Sequence, residues 1–241
     1  MNQEYAMQEH VVPVSDVDTQ TRADFIVKTY MHLFGAVLLF TGIEVYIFKA
    51  GLAKPIYDAV TNISWLVVLG GFLVVSWLAS RAAHMARSMV VQYAALIGFV
   101  LAEALIFVPL LYIANLASSE RFGSSGNIIS SAALVTLVGF CGLPFVAFGT
   151  RKDFSFLGGF LRWIGIAALI GIGSSVLFGF NLGTWFSVGM VAFAGAAILY
   201  DTSNIIRHYP QDRYVGAALE LFASVALMFW YVLRLFLASR D

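Results

Sequence analysis

The sequence predicts an all-α integral membrane protein in which seven transmembrane helices form one domain behind a polar N-terminal segment. Of 241 residues, 60% are hydrophobic and only 12% are charged, with a mean hydropathy of +0.85; soluble domains are about half apolar. The apolar residues fall in runs of span length, since a bilayer core about 30 Å thick needs roughly 20 helical residues. These runs are continuous rather than alternating over about ten residues, which excludes outer-membrane barrel strands.

In order, the expected spans are residues 29–48, 63–80, 89–116, 128–149, 156–180, 184–206 and 215–237. The third and fifth are long enough to tilt or kink, and Pro109 gives the third a cause because proline removes a backbone donor. Small residues recur every four positions at Ala167, Gly171 and Ser175, and again at Ala192 and Ala196, predicting faces where helices approach closely. Residues 1–28 carry Glu4, Glu9, Asp16, Asp18 and Asp24 with no apolar centre, so they are neither signal peptide nor span. They read as a mobile acidic tail, with residues 29–241 as the transmembrane domain.

Lys and Arg concentrate in cytoplasmic loops. With the tail inside, that side holds Arg22, Lys28, Arg81, Arg87, Arg151, Lys152, Arg162, Arg207 and Arg213, against Lys49, Lys54, Arg121, Arg234 and Arg240 on the other. A cytoplasmic N-terminus and an external C-terminus are therefore expected.

Composition also excludes functions. The 14 Lys and Arg balance the 14 Asp and Glu, leaving no basic field for nucleic acid. The lone Cys141 forbids an intrachain disulfide, and it is expected to pack as a small buried hydrophobe. Four scattered His residues make no metalloprotease pair, and Gly123-Ser124-Ser125-Gly126 is one residue short of a nucleophile elbow. Tyr200-Asp201 resembles the first motif of intramembrane aspartyl proteases, yet no Gly-x-Gly-Asp partner exists. Neither enzymatic activity nor a bound cofactor is expected.

Four carboxylates remain within or beside the apolar runs: Glu44, Glu103, Asp201 and Glu220. Each costs roughly 2.5–3.5 kcal/mol at mid-bilayer on insertion scales, so such residues usually face the interior of a bundle and often mark ion or proton paths. Glu44 is near enough to Lys49 to be expected at the interface by snorkelling. Glu103 lies about 21 Å into its helix at 1.5 Å per residue, too deep to snorkel, and either lines a polar cavity or packs in the interior. Asp201 and Glu220 approach the same membrane face from consecutive helices, and two like charges in one low-dielectric site would make a proton-sensitive pair. Arg81 or Arg87, at the same face, is the alternative partner for Asp201.

Three stretches together carry a family resemblance. They are Thr150-Arg151-Lys152-Asp153-Phe154-Ser155-Phe156-Leu157-Gly158-Gly159, then Ala197-Ile198-Leu199-Tyr200-Asp201-Thr202-Ser203-Asn204-Ile205-Ile206, and the closing helix through Leu233-Arg234-Leu235-Phe236 to Ala238-Ser239-Arg240-Asp241. They resemble the transmembrane BAX inhibitor motif (BAX inhibitor-1-like) family, in particular its bacterial YccA-like branch. The resemblance implies six helices packed around a central seventh. It also implies a calcium-leak mechanism in some members, in which an Asp at the position of Asp201 pairs with a second Asp on the last helix. Ser224 stands where that second Asp is expected, with Glu220 one turn away on the same face. The YccA-like branch is implied to restrain FtsH, a membrane-anchored AAA protease of the bacterial inner membrane. The N-terminal residues Met1, Asn2, Gln3, Glu4, Glu9, Asp16 and Asp18 would then be the handle the protease engages. The two functional expectations are thus FtsH modulation and a pH-sensitive calcium or cation leak. For the leak, Asp201, Glu220, Ser224, Glu103, Arg81 and Arg87 are the ion- or proton-sensing candidates. Asp201 is the single candidate calcium contact, and membrane lipid is the other expected partner.

Overall fold

A computed structural model describes residues 13–85, 88–122, 127–150 and 152–239. Among these, a 3-10 turn at Val14–Asp16 precedes eight α-helices: α1 Thr19–Lys49, α2 Ala53–Thr61, α3 Trp65–Met85, α4 Met89–Phe122, α5 Asn127–Thr150, α6 Leu157–Phe178, α7 Gly183–Arg207 and α8 Tyr214–Ala238. Seven of them, all except α2, are long and apolar enough to cross a membrane. The surface, unlike that of a soluble protein, is apolar, and a few polar side chains sit within an otherwise apolar interior. Large apolar side chains such as Val74 and Trp77 on α3, Phe145 on α5 and Trp163 and Leu177 on α6 point outward, while Asp201, Thr202 and Ser203 are buried.

The last helix is the core. Thirteen residues of α8 are buried against two on α6, and α8 packs broadly on α1, α3, α4, α5 and α7. Helix α6 leans instead on α7 and touches α3. The α3–α8 seam is close because Gly216 faces backbone: a Cβ there would sit 3.0 Å from the Ala83 carbonyl oxygen. Pro109 and Pro144 are absorbed within continuous α4 and α5. Helix α6 ends at Gly179, whose φ of 72° lets its N–H reach back to the Ser175 carbonyl, a left-handed cap that glycine adopts without strain.

Four expectations are corrected. Helix α1 begins ten residues before residue 29, because Asp18 caps it by accepting from the N–H groups of Gln20 and Thr21 at 3.0 and 3.1 Å. That places residues 19–28 in the helix, and the preceding turn is docked rather than mobile. The small-residue faces are rotated by one or two positions. Ala167 and Ala192 are exposed, whereas Ala168 and Ala194 are buried, and Gly165 faces the Phe193 ring at ordinary contact distance. Cys141 is exposed on the apolar surface of α5 rather than packed inside. The nine-residue α2 is an additional helix, too short to span and carrying the Lys54–Asp58 ion pair at 2.6 Å.

The docked N-terminal segment ties the ends of the bundle together. Val14 is fully buried beside Phe25, Ile205 and Ala217, its N–H donates to the Tyr209 carbonyl at 2.9 Å, and Pro13 bridges to Pro210. The start of α1 and the α7–α8 loop therefore share one face, as six intervening crossings require. Val14→Asp is expected to release this strap, since burying an unpaired carboxylate costs more than undocking. Loss of the valine burial corresponds to roughly 1.5–3 kcal/mol. Thermal unfolding in detergent should show a lowered midpoint, and limited proteolysis should show new cleavage before Thr19.

Candidate functional site

In the half of the bundle that carries the N-terminal strap, polar side chains gather from α3, α7, α8 and the α7–α8 loop. Asp201 lies on α7, two turns before its end, and Ser224 on α8 donates its hydroxyl to Asp201 Oδ2 at 2.5 Å. Both residues are more than nine-tenths buried. Ser224 occupies the position where the resemblance expects a second Asp, so a hydroxyl donor stands in place of a second acceptor. Tyr30 of α1 and Thr202 flank the carboxylate.

Glu220, one turn earlier on α8, faces α3. It accepts from the Ser80 hydroxyl at 2.5 Å, and His84 Nδ1 lies 3.7 Å from its Oε1. The helix-start geometry explains the meeting: Gly216 brings α8 against Ala83, which sets Ser80 and His84, four residues apart on one face of α3, opposite Glu220. His84 Nδ1 is also 2.8 Å from the Ser80 carbonyl, to which only an N–H can donate, so Nδ1 carries hydrogen. Nε2 lies 2.9 Å from the Tyr209 hydroxyl. Burial, with the Glu220 and Asp201 charges adding to it, holds the Tyr209 phenol well above its ordinary value. The phenol therefore keeps its hydrogen, and it shares one hydrogen bond with the His84 ring. A chain of polar contacts thus runs from Tyr209 through His84 and Ser80 to Glu220, with Asp201 within electrostatic reach of its end.

A second cluster seals the α5–α6 connection. The Ser203 hydroxyl donates to Asp153 Oδ1 at 3.2 Å and accepts from the Phe154 N–H at 3.0 Å. The Ser155 N–H at 2.9 Å is the main cause holding the Asp153 carboxyl below its usual value, with the Arg207 charge assisting. Gly158 packs on Tyr200, where a Cβ would lie 2.7 Å from the ring. These contacts give the Asp-x-Ser-x-x-Gly loop and the Tyr-Asp-Thr-Ser segment a common purpose: they fix the α7 residues around Asp201.

The other sequence candidates lie apart. Arg81 is exposed, its guanidinium 5.4 Å from the Trp77 ring centroid, and the residue meeting Glu220 is its neighbour Ser80. Glu103 is buried on α4, among the apolar residues that precede Phe107. Asp16 is exposed and Asp18 caps α1, so both belong to the docked segment. Met1, Asn2, Gln3, Glu4, Glu9 and Arg87 lie outside the described residues, as do the loop Gly123–Gly126 and the closing Arg240-Asp241. Glu44 is a correction: it is buried, and neither carboxylate oxygen has a hydrogen-bond partner. Sequence reasoning missed Ser80, His84 and Tyr209, although Ser80 and His84 at i, i+4 inside an apolar run were a readable polar face. Among the described residues no three His, Cys, Asp or Glu side chains group as a metal site; Asp201 with Ser224 offers three oxygens, one carboxylate and one hydroxyl.

A family model described as "Inhibitor of apoptosis-promoting Bax1" (Bax1-I) matches residues 22–241. The chain belongs to the Bax1-I family. The match covers every spanning helix and the whole Asp201 cluster, and begins within α1, after the strap. An uncharacterized protein of Campylobacter jejuni is 30% identical over 202 residues, covering 80% of this chain and 79% of that one. An uncharacterized protein of Pseudomonas aeruginosa is 38% identical over 117 residues, 47% of this chain and 51% of that protein. Modulator of FtsH protease YccA of Escherichia coli is 36% identical over 119 residues, 48% of this chain and 53% of YccA. Except for the Campylobacter protein, the chain spans about half the length of these Bax1-I relatives.

Proposed function

We propose that this protein sits in a bacterial inner membrane and modulates a membrane-anchored AAA protease of the FtsH type, with its N-terminus in the cytoplasm. The similarity to YccA, a relative named for that role, supports this reading. The strap adds a physical basis. Because Val14 is held against Tyr209, a partner pulling on the N-terminus loads the strap first.

Deletion of residues 1–12 tests this. A cut at residue 27 would also remove the strap and the first turns of α1, confusing recognition with unfolding. The shorter truncation is expected to insert and purify normally, yet to lose co-purification with FtsH and to stop slowing FtsH degradation of a membrane substrate. Full restraint by the truncated protein would reject the handle.

The buried hydrogen bond between Ser224 and Asp201, with Glu220 nearby, favours a second reading as a pH-sensitive cation leak. In that reading Asp201 meets the ion. Calcium flux into proteoliposomes separates the two, since a pure protease modulator conducts nothing.

A further inference from the structure

Glu44 lies on the opposite side of the bundle from the Asp201 cluster. It sits five residues from the end of α1, about 7.5 Å below it at 1.5 Å per residue. Its side chain is 93% buried, taken from a relative exposure of 7%, and neither carboxylate oxygen has a donor. Buried carboxylates are normally paired or hydrogen-bonded, and each orphan oxygen is costly. The expense has a location: Glu44 lines a cavity of about 610 Å³ between α1 and α5, floored by Phe222, Ala226 and Phe229 of α8. That volume is within the range of small-molecule sites, roughly 300–1,000 Å³.

The shape of the cavity restricts what enters it. It extends along α1 from Tyr30 to Phe48; from Glu44 to Tyr30 alone is about 21 Å, longer than half of a ~30 Å bilayer core. Its rim residues Phe34 and Leu137 are 60% and 57% exposed, so it opens sideways toward the hydrocarbon rather than to water. Among the described residues no Lys, Arg or His lines it, so none of them gives Glu44 a countercharge there. An occupant complementary to this site has one long apolar chain and, at its interfacial end, a cationic group with several N–H donors.

We propose that the α1–α5 groove is a binding site for a single-chain amphiphile with a primary ammonium head, the head pairing with Glu44 and the chain lying over Phe222, Ala226 and Phe229. Both oxygens are closed to water, so pairing needs the carboxylate to turn toward the cavity; an ammonium then satisfies them through charge-assisted bonds, whereas an alcohol donates one neutral bond and a fatty acid adds a like charge.

The test measures saturable binding of tritiated octadecylamine to the full chain in detergent micelles, with octadecanol and octadecanoic acid as competitors. Wild type is expected to bind the amine roughly tenfold or more tightly than the alcohol, with the acid weakest. Glu44→Gln should bring amine and alcohol to equal affinity. Ala133→Trp, which fills the groove from an exposed position on α5, should remove binding of all three while leaving the gel-filtration profile unchanged. Absence of saturable amine binding, equal affinities in wild type, a preference that survives Glu44→Gln, or binding that survives Ala133→Trp would each overturn the assignment. The readout is ligand binding and Glu44 is about 21 Å along α1 from Tyr30, the end of the groove that nears Asp201, so neither FtsH restraint nor flux bears on the result.

Discussion

Asp201→Asn is expected to reduce any pH-dependent calcium flux in proteoliposomes to the level of protein-free vesicles, and Ser224→Asp is expected to raise it. The argument rests on one hydrogen bond. Ser224 donates to Asp201 Oδ2, so the α8 side chain touches the carboxylate but brings no charge. Asn keeps the shape of Asp201 and removes its ability to take up a proton or attract a cation. Aspartate at 224 places a second carboxylate where the hydroxyl now lies, and two like charges in a low-dielectric site are relieved by a bound proton or cation. Flux measured against pH for the wild type and both variants decides the matter. Strong wild-type flux that persists in Asp201→Asn would remove Asp201 from the mechanism altogether.

The second large effect is on stability. Gly216→Leu is expected to cost about 1–3 kcal/mol or more, because the obstacle is the backbone of another helix: the Ala83 carbonyl oxygen would be 3.0 Å from the new Cβ. A side chain can change rotamer, but a carbonyl moves only if α3 moves. Displacing α3 also separates Ser80 from Glu220 and His84 from Tyr209. A lowered melting temperature should therefore accompany a changed pH response, while Gly216→Ala falls between. An unchanged melting temperature in Gly216→Leu would mean that the α3–α8 seam is looser than its geometry states.

Hydropathy made the seven spans legible because a membrane helix must be apolar over its whole crossing, and their cores all fall within the observed helices. Features that depend on other forces were harder to read. The start of α1 is polar and is set by the Asp18 cap, and α2 is too short to register as a run. Asp201 stood out because a buried carboxylate is conspicuous in such a sequence. Its surroundings did not, since Ser80 and Glu220 are 140 residues apart and His84 and Tyr209 are 125 apart. Glu44 misled for an instructive reason: Lys49 suggested a route to the interface, but the orientation of α1 buries the Glu44 carboxylate and leaves Lys49 exposed.

The central position of α8 sets the order of biogenesis. The helix that fills the middle of the bundle leaves the ribosome after the other six spans, so until then α1, α3, α4, α5 and α7 lack the helix they pack on. During that interval Asp201, Thr202 and Ser203, all buried in the finished bundle, lack the face that α8 provides, and Asp201 lacks the Ser224 hydroxyl. The strap is equally late, because Val14 closes on Tyr209 only after α7 has been threaded. A chain arrested before Tyr214 therefore exposes the polar face of α7 to lipid. Completion of one helix hides it.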